Sequence, residues 1–403
     1  MKYVVILGDG MADRPVPELG NKTPLQRAKK PNMDYLARNG EIGKVKTIPD
    51  GFSTGSDVAN LSVLGYDPRL YHTGRSPLEA ASMGINMGKS DMAFRCNLVN
   101  LSEDEPYENK RMIDYSSDEI TTQESEQLIK EIDKHLGNDI IKYYPGISYR
   151  HCMIWKNSPE GFQLTPPHDI TGRCISDYIP RGKDSELLLE MMKKSVDILK
   201  NHPVNIKRIE RGLKPANSIW LWGQGRKPQL SSFYEKYSIK GSVISAVDLI
   251  KGIAACSGLK SIDVEGATGN IDTNYSGKAE AAIKELENGS DFVYIHIEAP
   301  DECGHRYEID NKVKAIEMID EFIIGPVLKH LSKYEDFKIM VLPDHATPLE
   351  IRTHSPEPVP YIIFQKTKAK DSGIQAYDEF NAEKTGIFIE EGHTLMDRFI
   401  TKI

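Results

Sequence analysis

The run Lys338-Ile-Met-Val-Leu-Pro-Asp-His345 constrains the fold more than any other stretch. Its apolar, β-branched residues read as a buried strand that Pro343 terminates, so Asp344 and His345 emerge together at the carboxyl end. In an open α/β sheet, ligands bind at those ends. Adjacent side chains on an irregular turn need not alternate faces, so an oxygen and a nitrogen donor can enter one cleft. His354, on the following loop, is placed to return to the same rim. An isolated Asp-His pair reads more simply as a helix cap beside a surface histidine. Three further segments decide against that.

The first is the strand-like Asp291-Phe-Val-Tyr-Ile-His-Ile297, followed by Glu298-Ala-Pro-Asp-Glu-Cys-Gly-His305. On one helical turn the spacing of Asp301 and His305 puts both on the same face, as a shared metal ion requires. The second is Tyr3-Val-Val-Ile-Leu7 running into Gly8-Asp-Gly10, where flanking glycines permit a sharp turn and leave Asp9 at another strand end. The third is Gly51-Phe-Ser-Thr-Gly-Ser-Asp-Val-Ala-Asn60. Ser56 precedes a helix-compatible run from Val58 to Leu64, so its hydroxyl is expected at a helix N-terminus, where anions are favoured.

Composition restricts the partners. The formal net charge of −8 and the lack of any basic run argue against nucleic acid. No apolar run approaches the ~20 residues that span a bilayer, and Met1–Leu7 is too short for a signal peptide before Gly8-Asp9 interrupts it. A cytoplasmic protein without a membrane partner is expected. Five scattered cysteines without a Cys-x-x-Cys pair indicate neither a disulfide framework nor a zinc ribbon. Self-association into a homo-oligomer stays open.

Strands and helices alternate near both ends of the chain, which predicts an α/β protein with one mainly parallel sheet flanked by helices and assembled from residues 1–92 and 238–403. Between them, residues 93–237 are expected to form a smaller α+β insertion domain. It is entered through the polar, turn-rich residues 102–111, and it carries amphipathic helices around Leu128–Leu136 and Leu188–Leu199. Lys278 reads as an exposed helix charge.

Asp9, Ser56, Asp301, His305, Asp344, His345 and His354 exceed what one ion takes from a protein but suit two ions about 4 Å apart. Carboxylate and imidazole without thiolate point to divalent Mn, with Mg, Zn or Co as alternatives. Two ions and a serine make phosphoryl transfer the economical reaction, with Ser56 as nucleophile acting on a small phosphorylated metabolite.

Gly8-Asp-Gly10, Gly55-Ser-Asp-Val-Ala-Asn-Leu-Ser-Val-Leu-Gly-Tyr-Asp-Pro68, Glu298–His305 and Pro343-Asp-His345 together resemble the archaeal-type cofactor-independent phosphoglycerate mutases of the alkaline phosphatase superfamily. The resemblance covers most of the chain in the same order. It implies an alkaline-phosphatase-like core, with Asp301, His305 and His354 on one metal and Asp9, Ser56, Asp344 and His345 on the other. It further implies that phosphate leaves 3-phosphoglycerate, rests on Ser56, and returns to the 2-hydroxyl of the retained glycerate. The insertion is then expected to bind substrate and act as a lid. Pro167-His-Asp-Ile-Thr-Gly-Arg173 supplies His168 and Asp169 as acid/base groups and Arg173 as an anion clamp. Arg150, His151 and Arg226 are further substrate-binding candidates. The stretch Trp220-Leu-Trp-Gly-Gln-Gly225 instead resembles a sister group proposed to act as homoserine kinases, so the sequence leaves the acceptor open between glycerate and homoserine.

Overall fold

In the computed structural model, which describes residues 1–103 and 105–401, the chain divides into two compact units, Met1–His72 with Gln229–Ile403 and Thr73–Pro228. In chain order the strands of the first segment are β1 (Lys2–Gly8) and β2 (Glu41–Val45). The second unit holds β3 (Met92–Leu101), β4 (Met112–Asp114), β5 (Ile141–Tyr144), β6 (Arg150–Trp155) and β7 (Ser218–Arg226). The larger unit resumes with β8 (Gly241–Ile244), β9 (Lys260–Ile262), β10 (Phe292–Ile297), β11 (Phe337–Leu342), β12 (Val359–Gln365) and β13 (Phe388–Ile389).

The larger unit is built on an eight-stranded sheet in the order β13-β2-β12-β11-β1-β10-β8-β9. Five of its seven pairings are parallel; β12 runs antiparallel to both β11 and β2. Val4 to Leu7 of β1 are fully buried, as are Val293 to Ile295 of β10 and Ile339 to Leu342 of β11. Both sheet faces are therefore covered, which is why these strands read as continuous apolar runs rather than alternating ones. On one face Val4, Ile6, Val293, Ile295, Ile339 and Val341 pack with Leu36, Ala279 and Ile316, from the helices Pro31–Asn39, Tyr275–Glu287 and Ile309–Ile319. Each such burial contributes roughly 1.5–3 kcal/mol, so the centre of the sheet is a firm platform. In register, Gly8 lies opposite Ile297 and Leu7 opposite Leu342, which ends three central strands side by side on one edge.

The second unit has an antiparallel sheet in which β3 pairs with β4, β6 and β7, and β5 extends it from β6. Leu128, Ile129 and Ile132 of the helix Thr122–Leu136, and Leu188, Met191 and Met192 of Glu186–Leu199, pack against its Phe94, Cys96 and Leu98.

The junctions fall at 72/73 and 228/229, not at 92/93 and 237/238. The helix Ser76–Ser82 places Ala80 against Ala93, Cys152 and Ile154, and the Ser76 hydroxyl donates to the Gly223 carbonyl, which ties it to the second unit. The helix Phe233–Tyr237 stacks Phe233 on Phe292 with ring centroids 4.6 Å apart, which ties it to the larger one. Residues 102–111 connect β3 to β4 within the second unit instead of leading into it; Asp104 lies outside the described residues. Among the described residues no helix is long and apolar enough to cross a membrane.

Candidate active site

The aligned carboxyl ends of β1, β10 and β11 bring the sequence candidates together. Asp9 follows β1, the helix Ala299–His305 follows β10, and Asp344 and His345 follow β11. The four-residue spacing within the short helix sets His305 Nε2 3.2 Å from Asp301 Oδ2, and His354 Nε2 lies 3.4 Å from Asp301 Oδ1. The two imidazoles face each other with Nε2 atoms 2.9 Å apart. Their other nitrogens meet backbone carbonyls, His305 Nδ1 at 3.0 Å from Arg352 O and His354 Nδ1 at 3.3 Å from Thr54 O. A carbonyl only accepts, so each Nδ1 carries the proton and each Nε2 presents a lone pair. Two lone pairs and a carboxylate converging on one point require a cation there. When that cation is a proton, the hydrogen bond with Asp301 raises His305 to about 9. Burial lowers His354, but Asp301 outweighs it and the net shift is upward. Burial likewise pushes Asp301 up, and its bonds with His305 and His354 outweigh that and hold it well below the usual carboxylate range.

A second group of donors adjoins the first. Asp9 is buried, and its Oδ1 has no hydrogen-bond partner. That oxygen lies 3.4 Å from His345 Nε2, which is also 3.5 Å from Asp344 Oδ2 and 3.2 Å from Ser56 Oγ. Ser56 opens the helix Ser56–Val63, and its hydroxyl is 3.5 Å from Asp9 Oδ2. Burial raises Asp9 well above the carboxylate range, reinforced by the charges of Asp344, Asp301 and Glu298. A buried acid with one oxygen left unpartnered, beside three other acids, is costly unless positive charge compensates it. Among the described residues, Asp301/His305/His354, Asp9/Asp301/His345 and Asp9/His296/Asp344 each hold ligand atoms within 4.8 Å of one another. The donor chemistry fits divalent cations of the kind that take oxygen and nitrogen ligands.

Comparison with known proteins gives the family. A sequence model of 2,3-bisphosphoglycerate-independent phosphoglycerate mutase matches residues 37–205. A probable mutase of that description from Geobacter sulfurreducens is 50% identical over 402 residues, covering 100% of both chains. The chain belongs to this mutase family. A mutase of the same description from Methanosarcina barkeri is 50% identical over 98% of each chain. The cofactor-independent phosphoglycerate mutase of Thermoplasma acidophilum superposes with a TM-score of 0.71 at 26% identity, covering 99% of both chains.

Around these donors stand residues that the sequence pattern did not single out. His296, fully buried in β10, sets Nε2 3.0 Å from Asp9 Oδ2 and Nδ1 3.3 Å from the Ser245 hydroxyl; burial lowers it to about 3, so it is neutral. A lone polar residue in a strand covered on both faces must have a partner, and that was the available signal. Asn60, one turn after Ser56, donates to Asp344 Oδ2 at 2.8 Å and accepts from Tyr294 Oη at 2.6 Å. Lys278 is not an exposed charge. It is buried, donates to His296 O at 2.9 Å, and is lowered by burial to about 8 against the charge of Glu298. Gly10, at φ +59°, leaves no room for a side chain. A Cβ there would sit 2.5 Å from Thr347 Oγ1 and 2.6 Å from Asp301 Oδ1. Gly10→Ala is expected to lower unfolding stability by about 2 kcal/mol or more, measurable by denaturant titration.

The second unit's candidates separate into two sets. His168 and Asp169 share the turn Pro167–Ile170 with Nε2 and Oδ1 3.6 Å apart, and the His168 ring meets Trp222 at 5.3 Å. Both are exposed, as is Arg173, which donates to Tyr178 Oη at 3.2 Å. Arg150 lies exposed over the Tyr149 ring. His151 and Arg226 have more enclosed surroundings. His151 is buried; its Nδ1 accepts from Gly146 N at 3.0 Å, burial lowers it to about 3, and its Nε2 has no hydrogen-bond partner. Arg226 spends its guanidinium on Glu160 at 2.7 Å, the Ser158 carbonyl at 2.9 Å and the Ser90 carbonyl, which makes it a tie between loops and not a free clamp.

Proposed function

We propose that this protein interconverts 3-phosphoglycerate and 2-phosphoglycerate without a bisphosphoglycerate cofactor. The carrying observation is the place of Ser56, first residue of its helix and within 3.2–3.5 Å of His345 and Asp9. A hydroxyl at a helix N-terminus beside acid and imidazole donors is where a nucleophile would meet a phosphoryl group. Asp301, His305 and His354 would hold one divalent ion, and Asp9, Asp344, His345 and Ser56 a second; Mn is the leading candidate, with Mg, Zn and Co as alternatives. Such ions, when bound, neutralise charge on the transferring phosphoryl group.

In the first half-reaction Ser56 Oγ gives up its proton and bonds to phosphorus as the bond to the substrate's 3-oxygen breaks, that oxygen takes up a proton, and the glycerate formed is retained. In the second, the 2-hydroxyl of glycerate takes the phosphoryl group and Ser56 recovers its proton. The backbone N–H groups at the start of Ser56–Val63 favour the phosphoryl oxygens throughout. Asn60 fixes Asp344, and His296 fixes Asp9, so the donors need not reorganise as charge shifts. Asp169 is proposed to carry protons between the two glycerate hydroxyls and Arg173 to bind the substrate's anionic end.

Phosphorus NMR of purified protein tests this reading. Offered 3-phosphoglycerate alone, it is expected to yield 2-phosphoglycerate; no such product, with O-phosphohomoserine formed from homoserine and ATP, would reject the mutase. Arg173→Ala is expected to lower kcat/KM by about 10²-fold through lost orientation. Arg226→Ala, by contrast, should lower the thermal midpoint and leave KM unchanged, since its bonds hold Glu160, Ser158 and Ser90.

A further inference from the structure

Thr347 is fully buried two residues beyond His345, and its hydroxyl touches both donor groups at once. Oγ1 is hydrogen-bonded to Asp301 Oδ1 and lies 3.3 Å from His345 Nδ1. The backbone that carries it is fixed from several sides. Thr347 N donates to Ala12 O at 3.3 Å, and Thr347 O accepts from Lys312 Nζ at 2.8 Å. Lys312 is itself buried and paired with Asp13 at 2.7 Å, and both Asp13 oxygens accept from Leu349 N at 3.2 Å. Two glycines clear the space. A Cβ on Gly10 would collide with the hydroxyl, and one on Gly304 would sit 2.9 Å from Thr347 Cγ2 and 2.6 Å from its carbonyl oxygen.

Counting protons gives this hydroxyl a direction. It has one hydrogen, and the Asp301 carboxylate offers only acceptors, so the hydrogen goes to Asp301. His345 Nδ1 must then be the donor to Thr347 Oγ1. That leaves His345 Nε2 unprotonated and directed at Ser56 Oγ, Asp9 Oδ1 and Asp344 Oδ2. With no hydroxyl at 347, Nδ1 loses that acceptor while an Nε2–H would donate to the Asp9 and Asp344 carboxylates, which favours the opposite tautomer. In that tautomer His345 cannot ligate through Nε2.

We propose that Thr347 is a positioning residue that couples the two donor groups, its hydroxyl holding His345 in the tautomer whose Nε2 is free to bind a cation. The consequence for metal binding rests on the two-cation reading above; the tautomer itself does not. The chain Nδ1–H to Oγ1–H to Asp301 also orients the Asp301 carboxylate, so both donor groups are set by one side chain.

The test uses full-length, metal-stripped protein labelled with nitrogen-15 in histidine, with the His345 signals assigned by their loss in His345→Asn. Wild-type protein is expected to show His345 as the Nδ1–H tautomer. Thr347→Val, close in shape but without the hydroxyl, should shift it to Nε2–H and weaken calorimetric Mn²⁺ binding by about 10–100-fold; Thr347→Ser should restore both. An Nε2–H tautomer in wild type, unchanged tautomer and Mn²⁺ affinity in Thr347→Val, or a serine variant no better than valine would each overturn the proposal. If the valine variant fails to fold, the wild-type tautomer and the serine variant still decide. Absence of Mn²⁺ binding in wild type would overturn the two-cation reading instead, and the tautomer comparison would judge Thr347 separately.

Discussion

Replacing Ser56 with alanine is expected to lower turnover by about 10⁴-fold or more while the protein stays folded. The hydroxyl is half-buried and its removal leaves no cavity in the apolar core. The local hydrogen bond that matters for the fold, Asn60 Nδ2 to Ser56 O at 2.9 Å, uses the backbone and survives the change. Lost instead is the only hydroxyl within 3.5 Å of both His345 Nε2 and Asp9 among the described contacts. The measurement pairs steady-state turnover with a thermal melt, and acid-quenched wild-type enzyme is digested to map bound phosphate. Near-wild-type turnover in the alanine variant, or phosphate on any other residue, would remove Ser56 as the nucleophile. Loss of folding along with turnover would show that the hydroxyl has a structural role not visible in its contacts.

The larger sheet was legible because parallel strands covered on both faces are uninterrupted apolar runs, and each of the three central ones stops at a polar cluster. The mixed α/β architecture followed from that rhythm, and so did the convergence of Asp9, Asp301 and Asp344 at one edge. Pairwise spacing also carried information, since Asp301 and His305 four apart on a helix must meet. Residues that act through another residue were not legible. His296 and Thr347 each contact a donor that is distant in sequence or out of pattern, and nothing local separates them from core residues. Lys278 shows the same limit from the other side. A lysine on an amphipathic helix is ordinarily solvated, and only the tertiary contact with His296 O reveals that this one is buried. Arg226 shows that residue type gives the capacity for hydrogen bonding but not whether the fold has already used it. The unit junctions were misplaced by about twenty residues on one side because the helix Ser76–Ser82 is assigned by the Ser76 bond to Gly223, a contact with a partner far along the chain.

Removing divalent metal is expected to abolish activity and to leave a protein whose stability falls as pH rises from about 6.5 to 8. Without a cation, the facing imidazoles of His305 and His354 are compensated only by protons. Asp301 raises His305 to about 9, so the native metal-free protein holds a proton that the unfolded chain releases near 6.5. A raised histidine contributes stability that is complete below the unfolded value and is lost as pH climbs through the folded one. Burial lowers His354, but Asp301 outweighs it and the net shift is upward, so it acts in the same direction. His296, lowered to about 3 by burial, and His345, also lowered by burial, act below about 6.5 and with the opposite slope. Lys278, at about 8, begins to matter only above it. Glu298 and Glu379, each raised by burial to about 7, add a loss in the same direction at the lower edge. Bound Mn²⁺ would take the place of the protons on His305 and His354, so the metal-loaded protein should melt at a higher temperature with little change across the same interval. Thermal midpoints at pH 6.5 and 8, with and without metal, give the comparison, alongside activity after chelation and after Mn²⁺ is returned. Full activity in protein shown to be metal-free by elemental analysis would end the two-cation reading. Equal pH slopes with and without metal would show instead that the His305–His354 pair is not where the cation binds.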